Sequence, residues 1–150
     1  MTDLQEREWL EADGLGGFAS GTVPGIRTRR YHALLLTART PPTGRFVLVN
    51  GFDAWVETPA GRYAISSQAY GPDVVFPDGA SRIAGFELEP WPRWTFELPD
   101  GTRVTQEIFV PKGSSAVALT WKLVCGRGVA SLTVRPFFSG RGYHALHHEN

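Results

Sequence analysis

The densest group of chemically active side chains follows a glycine-rich stretch near the N-terminus. Four consecutive residues supply two guanidinium forks, a phenolic hydroxyl and an imidazole: Arg29, Arg30, Tyr31 and His32. Such groups hydrogen-bond polyhydroxyl or anionic ligands. The group leads directly into an apolar run, residues 33–36, so we expect a sheet to carry it. Alternation along that strand would place Arg30 and His32 on one face and the other two side chains opposite. The alternative is a structural role, with one arginine solvated, the other paired with a carboxylate, and His32 hydrogen-bonded in place.

Aromatic residues are the second candidate for ligand contact. The chain has five tryptophans, and flat rings of this kind stack on sugars. Within Trp91-Pro92-Arg93-Trp94 we expect partial exposure, which makes Trp91 and Trp94 candidates for sugar stacking. Core packing is the competing interpretation for every tryptophan of a β domain.

Other motifs argue against several chemistries. Residues 14–19 fit the dinucleotide pattern G-x-G-x-x-A, but the required strand before it and helix after it are absent, so we interpret it as a tight loop with close backbone approach. Three histidines cluster within residues 143–150, yet their spacing provides no convincing metal set. We therefore predict neither a metal nor a cofactor.

Acidic residues identify no catalytic pair. Glycoside hydrolysis needs two carboxyl groups about 5 to 9.5 Å apart, and sequence alone pairs none. Acids such as Asp13 and Asp53 occupy turns or alternating strand positions, where a solvated side chain is the default expectation. We name no catalytic residue, and we expect this chain alone to be inactive.

Composition narrows the class of protein. Fifteen basic and fifteen acidic side chains balance, which argues against nucleic acid as a partner. No apolar run approaches the roughly 18 residues that span a bilayer, and the N-terminus lacks the pattern of a signal peptide. We expect a soluble, cytoplasmic protein without a membrane partner. The single cysteine, Cys125, excludes an internal disulfide, and we expect it to be buried and inert.

Seventeen glycines and eleven prolines separate short alternating runs, a pattern typical of strands and turns. We predict a single all-β domain over residues 1–150, a two-layer antiparallel β-sandwich with about nine strands and little helix. A hairpin is expected over residues 94–110, around Pro99-Asp100-Gly101-Thr102. Further hairpins are predicted at Asn50-Gly51, at Pro59-Ala60-Gly61 and across residues 125–128. Residues 70–80 are expected to form a long loop, and residues 3–12 show only weak helical amphipathicity.

Several motifs, in order and spacing, resemble the opening of bacterial and archaeal-type glycogen debranching enzymes, the amylo-alpha-1,6-glucosidases. They are Glu8-Trp9-Leu10, residues 14–23, Gly25, residues 28–32 and Leu34-Leu35. Looser similarity continues through residues 41–45, Arg135-Pro136-Phe137 and residues 143–150. Two positions depart from the family pattern, which usually has asparagine at Asp13 and glycine at Ala33.

The resemblance implies a supersandwich-like N-terminal domain followed by an (α/α)6 toroid that holds the glucosidase acids. It implies that Arg29 to His32, together with Trp9, contact α-glucan (glycogen or maltooligosaccharide) or the toroid. Because family members have a longer N-terminal domain, we expect this chain to be truncated at its C-terminal end, and the uncovered surface to favour homo-oligomers. Two alternatives remain open. One is a free-standing carbohydrate-binding module, and the other, ranked last, is the glucanotransferase part of the enzyme.

Overall fold

The computed structural model describes residues 7–24, 32–41, 43–71, 74–126 and 128–142. These residues form twelve strands and one short 3₁₀ turn, η1, at Gly79–Arg82. The strands are β1 Glu8–Ala12, β2 Phe18–Thr22, β3 Ala33–Thr40, β4 Thr43–Thr58, β5 Gly61–Ala64, β6 Ser67–Gly71, β7 Val74–Asp78, β8 Ile83–Glu87, β9 Arg93–Glu97, β10 Arg103–Phe109, β11 Ala118–Cys125 and β12 Ser131–Gly142. The prediction of an all-β fold is confirmed, although the strands are more numerous than the nine expected.

Two antiparallel sheets form the layers of a sandwich. The larger sheet has the order β1-β2-β3-β4-β12, with β5 paired to the end of β4, and the smaller has the order β11-β10-β9-β8. A separate hairpin joins β6 to β7. Ala54 and Val56 of the larger sheet share one buried cluster with Trp94, Phe96 and Ile108 of the smaller sheet. Burial of these side chains between the layers drives their association.

The hairpin over residues 94–110 is confirmed. β9 and β10 pair from Glu97 opposite Arg103 to Arg93 opposite Glu107. The backbone N–H of Leu98 donates to the carbonyl oxygen of Thr102 at 2.8 Å, which closes the turn. Gly101 has a φ of +86° in this turn, a positive value that favours glycine at this position. The turn at Pro59-Ala60-Gly61 is also confirmed, because it joins β4 to β5.

The hairpin predicted at Asn50-Gly51 is wrong. Residues 43–58 form one continuous strand, β4, and neither Asn50 nor Gly51 has the positive φ of a type I′ turn. β12 pairs with β4 on both sides of this dipeptide, with Phe137 opposite Gly51 and Phe138 opposite Val49. The register shift between these pairs accommodates Asn50 as the extra residue of a bulge.

Two other local predictions also differ from the structure, and the weakly amphipathic N-terminal segment proves to contain a strand. The runs on either side of residues 125–128 do not pair, because β11 pairs with β10 in the smaller sheet and β12 with β4 in the larger. The expected loop at residues 70–80 contains the end of the β6–β7 hairpin. Residues 8–12 are the strand β1, not a helix, since pairing with β2 satisfies their backbone. Across the described ranges, no helix has the length and hydrophobicity needed to cross a bilayer.

Asp100 connects the β9–β10 turn to the β4–β5 turn and generates the first prediction. Its Oδ1 accepts the Thr102 backbone N–H at 3.0 Å, and its Oδ2 accepts the Thr58 hydroxyl at 2.8 Å. The hydrogen bonds from Thr102, followed by that from Thr58, lower the pKa of Asp100 below its ordinary value of 3.8. A lowered folded-state pKa stabilises the fold above the unfolded pKa, and this stabilisation is lost as the pH falls through the folded pKa.

We therefore expect Asp100→Ala to lower the melting temperature at pH 7 and to lower it less at about pH 2, because the stabilisation by the carboxylate is lost as the pH falls through its lowered pKa. Thermal unfolding followed by circular dichroism at both pH values measures the difference. Asp100→Asn is the matched variant, because it keeps one accepting oxygen without a charge; its loss should be smaller than that of Asp100→Ala at pH 7 and should likewise shrink at low pH. An equal loss for Asp100→Ala at both pH values would contradict the assignment.

Candidate functional site

Both ends of the segment that contains the arginine pair are attached to the beginning of β1. The Val23 backbone N–H donates to the Arg7 carbonyl at 2.8 Å, and the Val23 carbonyl accepts the Trp94 indole N–H at 2.7 Å. On the other side, His32 Nε2 lies 2.9 Å from Glu8 Oε1. Residues 24–31 therefore join two anchors that both contact the beginning of β1.

The four consecutive candidates fall into two groups. Arg29, Arg30 and Tyr31 lie outside the described residues, so their ligand contacts stay predictions. His32 is only 5% exposed and pairs with the Glu8 carboxylate. This geometry agrees with the structural alternative for His32, which holds the start of β3 against β1. We treat His32 as a positioning residue, because its pairing with Glu8 restrains the chain immediately after Tyr31.

Trp9 and Trp94 lie in the core, where their rings meet edge to face at 5.7 Å between centroids. The expected exposure of Trp94 is wrong, since only 3% of this residue is accessible. β9 alternates, so Trp94 points inward between its partly exposed neighbours Arg93 and Thr95. A cavity of about 70 Å³ lies against both rings, far below the roughly 300 Å³ of a typical small-ligand pocket. Neither ring therefore offers a face to a sugar.

Trp91, the other proposed stacking residue, is partly exposed. Its indole N–H donates to Glu107 Oε1 at 3.2 Å, and its ring lies 5.0 Å from that of Phe109. Phe109 is itself 41% exposed. The two rings form an aromatic surface on the outside of the smaller sheet, held in orientation by the hydrogen bond.

The glycine-rich loop between β1 and β2 is organised by Asp13. This carboxylate is 2% exposed, and its Oδ1 accepts the backbone N–H groups of Leu15 at 2.7 Å and Gly17 at 3.0 Å. The expectation of a solvated Asp13 is therefore wrong, because the loop backbone needs the acceptor. The amide oxygen of the family's usual asparagine could make the same two bonds. At Gly17 an added Cβ would lie 2.5 Å from the Leu36 carbonyl, which confirms the interpretation of close backbone approach.

Sequence reasoning missed a further site on the outer face of the larger sheet. An open groove of about 540 Å³ is lined by Trp55, Arg62, Ala64, Asp78, Arg82, Thr133 and Arg135, and we call it the arginine groove. Beneath it, Asp53 is fully buried, and its carboxylate accepts from Ser66 Oγ at 3.1 Å and from Arg135 at 3.0 Å. The expected solvation of Asp53 is thus also wrong. The alternation Asp53-x-Trp55 was visible in the sequence, but the arginines come from three other elements whose register it did not reveal.

Two further expectations concern metal binding and Cys125. In the described part of the chain, no group of three or more histidine, cysteine, aspartate and glutamate residues could hold a metal ion. The histidine cluster in residues 143–150 lies outside that part. Cys125 is exposed, which corrects the expectation of a buried thiol. It ends β11, an edge strand of the smaller sheet.

The fold and its loops define a β-sandwich domain in which Val23 and His32 anchor the two ends of the arginine-containing segment. The sequence matches the family model described as "Glycogen debranching enzyme N terminal" over residues 7–150. The chain therefore belongs to this family, and the resemblance seen in its motifs is confirmed. Searches of curated proteins and of solved structures found no match to this chain.

The close approach at Gly17 gives the second prediction. Gly17→Ala should lower the free energy of unfolding by about 2 kcal/mol or more, because the methyl group would press on the Leu36 carbonyl and on the Asp13 carboxylate. Gly51→Ala is the control, since nothing lies within 4 Å of an added Cβ there, and we expect a change below about 0.5 kcal/mol. Urea unfolding measures both changes. Similar values for the two variants would show that the loop relaxes freely.

Proposed function

We propose that this chain is the non-catalytic N-terminal domain of a glycogen debranching enzyme, and that it contributes to α-glucan binding and to the interface with an (α/α)6 glucosidase domain. The family match over residues 7–150 carries the proposal. Glycogen and maltooligosaccharides are the ligands proposed for the segment that contains Arg29, Arg30 and Tyr31. In this proposal the domain itself transfers and hydrolyses no glycosidic bond.

The anchoring of that segment supports a binding role. Val23 and His32, which flank it, are 1% and 5% exposed, and each is tied to the beginning of β1. Anchors of this kind reduce the conformational entropy that a loop loses when it binds a ligand. Arginine forks and a tyrosine hydroxyl could then meet the hydroxyl groups of a glucan at low ordering cost.

Arg30 provides the test. We expect the unmodified chain to bind maltoheptaose or glycogen, measured by calorimetry or affinity electrophoresis, and to release no glucose from limit dextrin. Arg30→Ala should weaken glucan binding roughly tenfold, the loss of one or two charge-assisted hydrogen bonds, without changing the melting temperature. Arg103→Ala is the control, because Arg103 is a surface arginine of the opposite sheet that pairs with Glu97. Clear glucose release, or undiminished binding by Arg30→Ala, would contradict the proposal.

A free-standing carbohydrate-binding module is the second candidate. The observation that favours it is the exposed aromatic surface of Trp91 and Phe109, with the Trp91 ring held by Glu107. The same binding experiment separates the two candidates. Loss of glucan binding in Trp91→Ala but not in Arg30→Ala would favour the module.

The proposed interface with a partner domain rests on exposed apolar side chains at the edges of both sheets. β12 and β11 are edge strands, and the apolar residues exposed along them and in the connection between them are Leu123, Val124, Val129, Leu132, Val134 and Phe138. Val129 and Phe138 are 83% and 76% exposed. Apolar side chains beside unpaired strand edges are typical of surfaces that another domain covers. We assign this surface to the helical domain, and in its absence to self-association.

Self-association can be measured directly. We expect the isolated chain to form dimers or larger species as its concentration rises, in sedimentation velocity experiments. The double variant Val129→Gln, Phe138→Gln should remain monomeric, because it removes the two most exposed apolar groups of this surface. Leu10→Gln is the control, since Leu10 is 57% exposed but lies on β1 at the opposite edge of the larger sheet. A wild-type chain that stays monomeric at high concentration would contradict the prediction.

The cytoplasm is the proposed location. An exposed, unpaired cysteine such as Cys125 is compatible with a reducing compartment, where thiols are not driven into disulfides. Glycogen, the proposed ligand, is consistent with the same assignment.

A further inference from the structure

The arginine groove lies on the outer face of β4, where this strand pairs with β5 and β12. In the register of the sheet, Trp55 stands opposite Ala64 on β5 and opposite Thr133 on β12. Two small side chains therefore flank one large ring in a single row across three strands. The ring rises above its neighbours, and the depressions beside it form an open groove of about 540 Å³. This volume is in the range of pockets that bind small molecules.

Two guanidinium groups pack against the Trp55 ring. The Cζ atom of Arg62 lies 4.9 Å from the ring centroid, and that of Arg135 lies 5.4 Å from it. A guanidinium over an aromatic ring is attracted by the ring's quadrupole, while the N–H groups at its rim stay available. Trp55 thus holds one arginine from each neighbouring strand in a defined position.

Two of the three arginines are further fixed by carboxylates. Arg135 donates to the fully buried Asp53 at 3.0 Å, yet 62% of the Arg135 side chain remains exposed. Arg82 donates to both oxygens of Asp78, at 2.7 and 3.1 Å, and to the Ala64 carbonyl at 2.8 Å. These bonds fix the guanidinium groups before any ligand arrives, which lowers the ordering cost of binding.

The charge of the groove differs from that of the whole chain. The chain has equal numbers of acidic and basic side chains, whereas the groove is lined by three arginines and one aspartate. Asp78 and Asp53 are engaged with Arg82 and Arg135. Among the described residues, no carboxylate oxygen lies within 4.0 Å of the Arg62 guanidinium, although Glu57 is its register partner. The groove therefore favours an anion near Arg62.

We propose that the arginine groove binds a hexose phosphate, a site separate from the proposed glucan contacts. Arg62 and Arg135, on either side of Trp55, would hold the phosphate through their free N–H groups, because guanidinium forks match phosphate oxygens. A phosphate alone would leave most of the groove empty. The sugar ring fills the remainder, where the Thr133 hydroxyl and the polar atoms of Asp78 can meet its hydroxyl groups.

Glucose 1-phosphate is the probe. Titration of the 150-residue chain at low salt should produce saturable binding by calorimetry and a change in tryptophan fluorescence. Arg62→Gln, which removes the charge from an exposed side chain, should weaken this binding roughly tenfold while the melting temperature stays the same. Arg103→Gln is the matched control on the other sheet and should change the affinity less than about twofold. Trp55→Phe should remove the fluorescence change, and binding should weaken at high salt.

Three results would overturn the proposal. The first is no saturable binding of glucose 1-phosphate, and the second is equal weakening by Arg62→Gln and Arg103→Gln. The third is equal affinity for inorganic phosphate or for the neutral sugar maltose, which would show that the groove does not recognise both the phosphate group and the sugar ring. The glucan-binding test with Arg30→Ala is independent, so the two proposals can fail separately.

Discussion

The pairing of β4 (Thr43–Thr58) along both of its edges is the constraint on which the rest of the structure depends. β3 and β5 pair with successive parts of one edge, and β12 pairs with the other edge along most of its length. Because successive side chains of a strand point to opposite faces, Ala54 and Val56 enter the core while Trp55 faces the groove. β4 therefore contributes side chains both to the core of the sandwich and to the arginine groove.

Buried polar contacts help to determine how the other strands attach to β4 and to each other. Asp53 is a fully buried carboxylate, and removing either Ser66 or Arg135 would leave its charge poorly compensated. This pairing joins β12 to β4 and positions Arg135 at the same time. On the other side of the core, the hydrogen bond from Trp94 to the Val23 carbonyl connects the smaller sheet to the end of β2. These two contacts therefore join strands of the domain and at the same time position Arg135 and the end of β2.

Local patterns predicted local structure well. Period-two alternation and Pro99-Asp100-Gly101-Thr102 identified the β9–β10 hairpin, because both signals lie within a few neighbouring residues. The same reasoning failed at Asn50-Gly51, where pairing with β12, about 80 residues later, makes the dipeptide part of a bulge. It also failed for β11 and β12, which are adjacent in sequence but lie in different sheets. Long-range pairing can override a turn signal, and it is not visible in a short window of sequence.

The candidate sites divide in the same way. Motifs around the glycine-rich loop identified the family, because such a loop needs particular residues at particular spacings, although Asp13 itself departs from the usual pattern. Sequence by itself determined the all-β class, the family and the position of the anchored segment along the chain. Only the tertiary structure decided that His32 is buried against Glu8, that Trp94 is inaccessible and that Arg62 and Arg135 meet at Trp55. The physical reason is that burial and ionic pairing depend on which strands become neighbours, and strand register across a sheet is set by the packing of the whole domain.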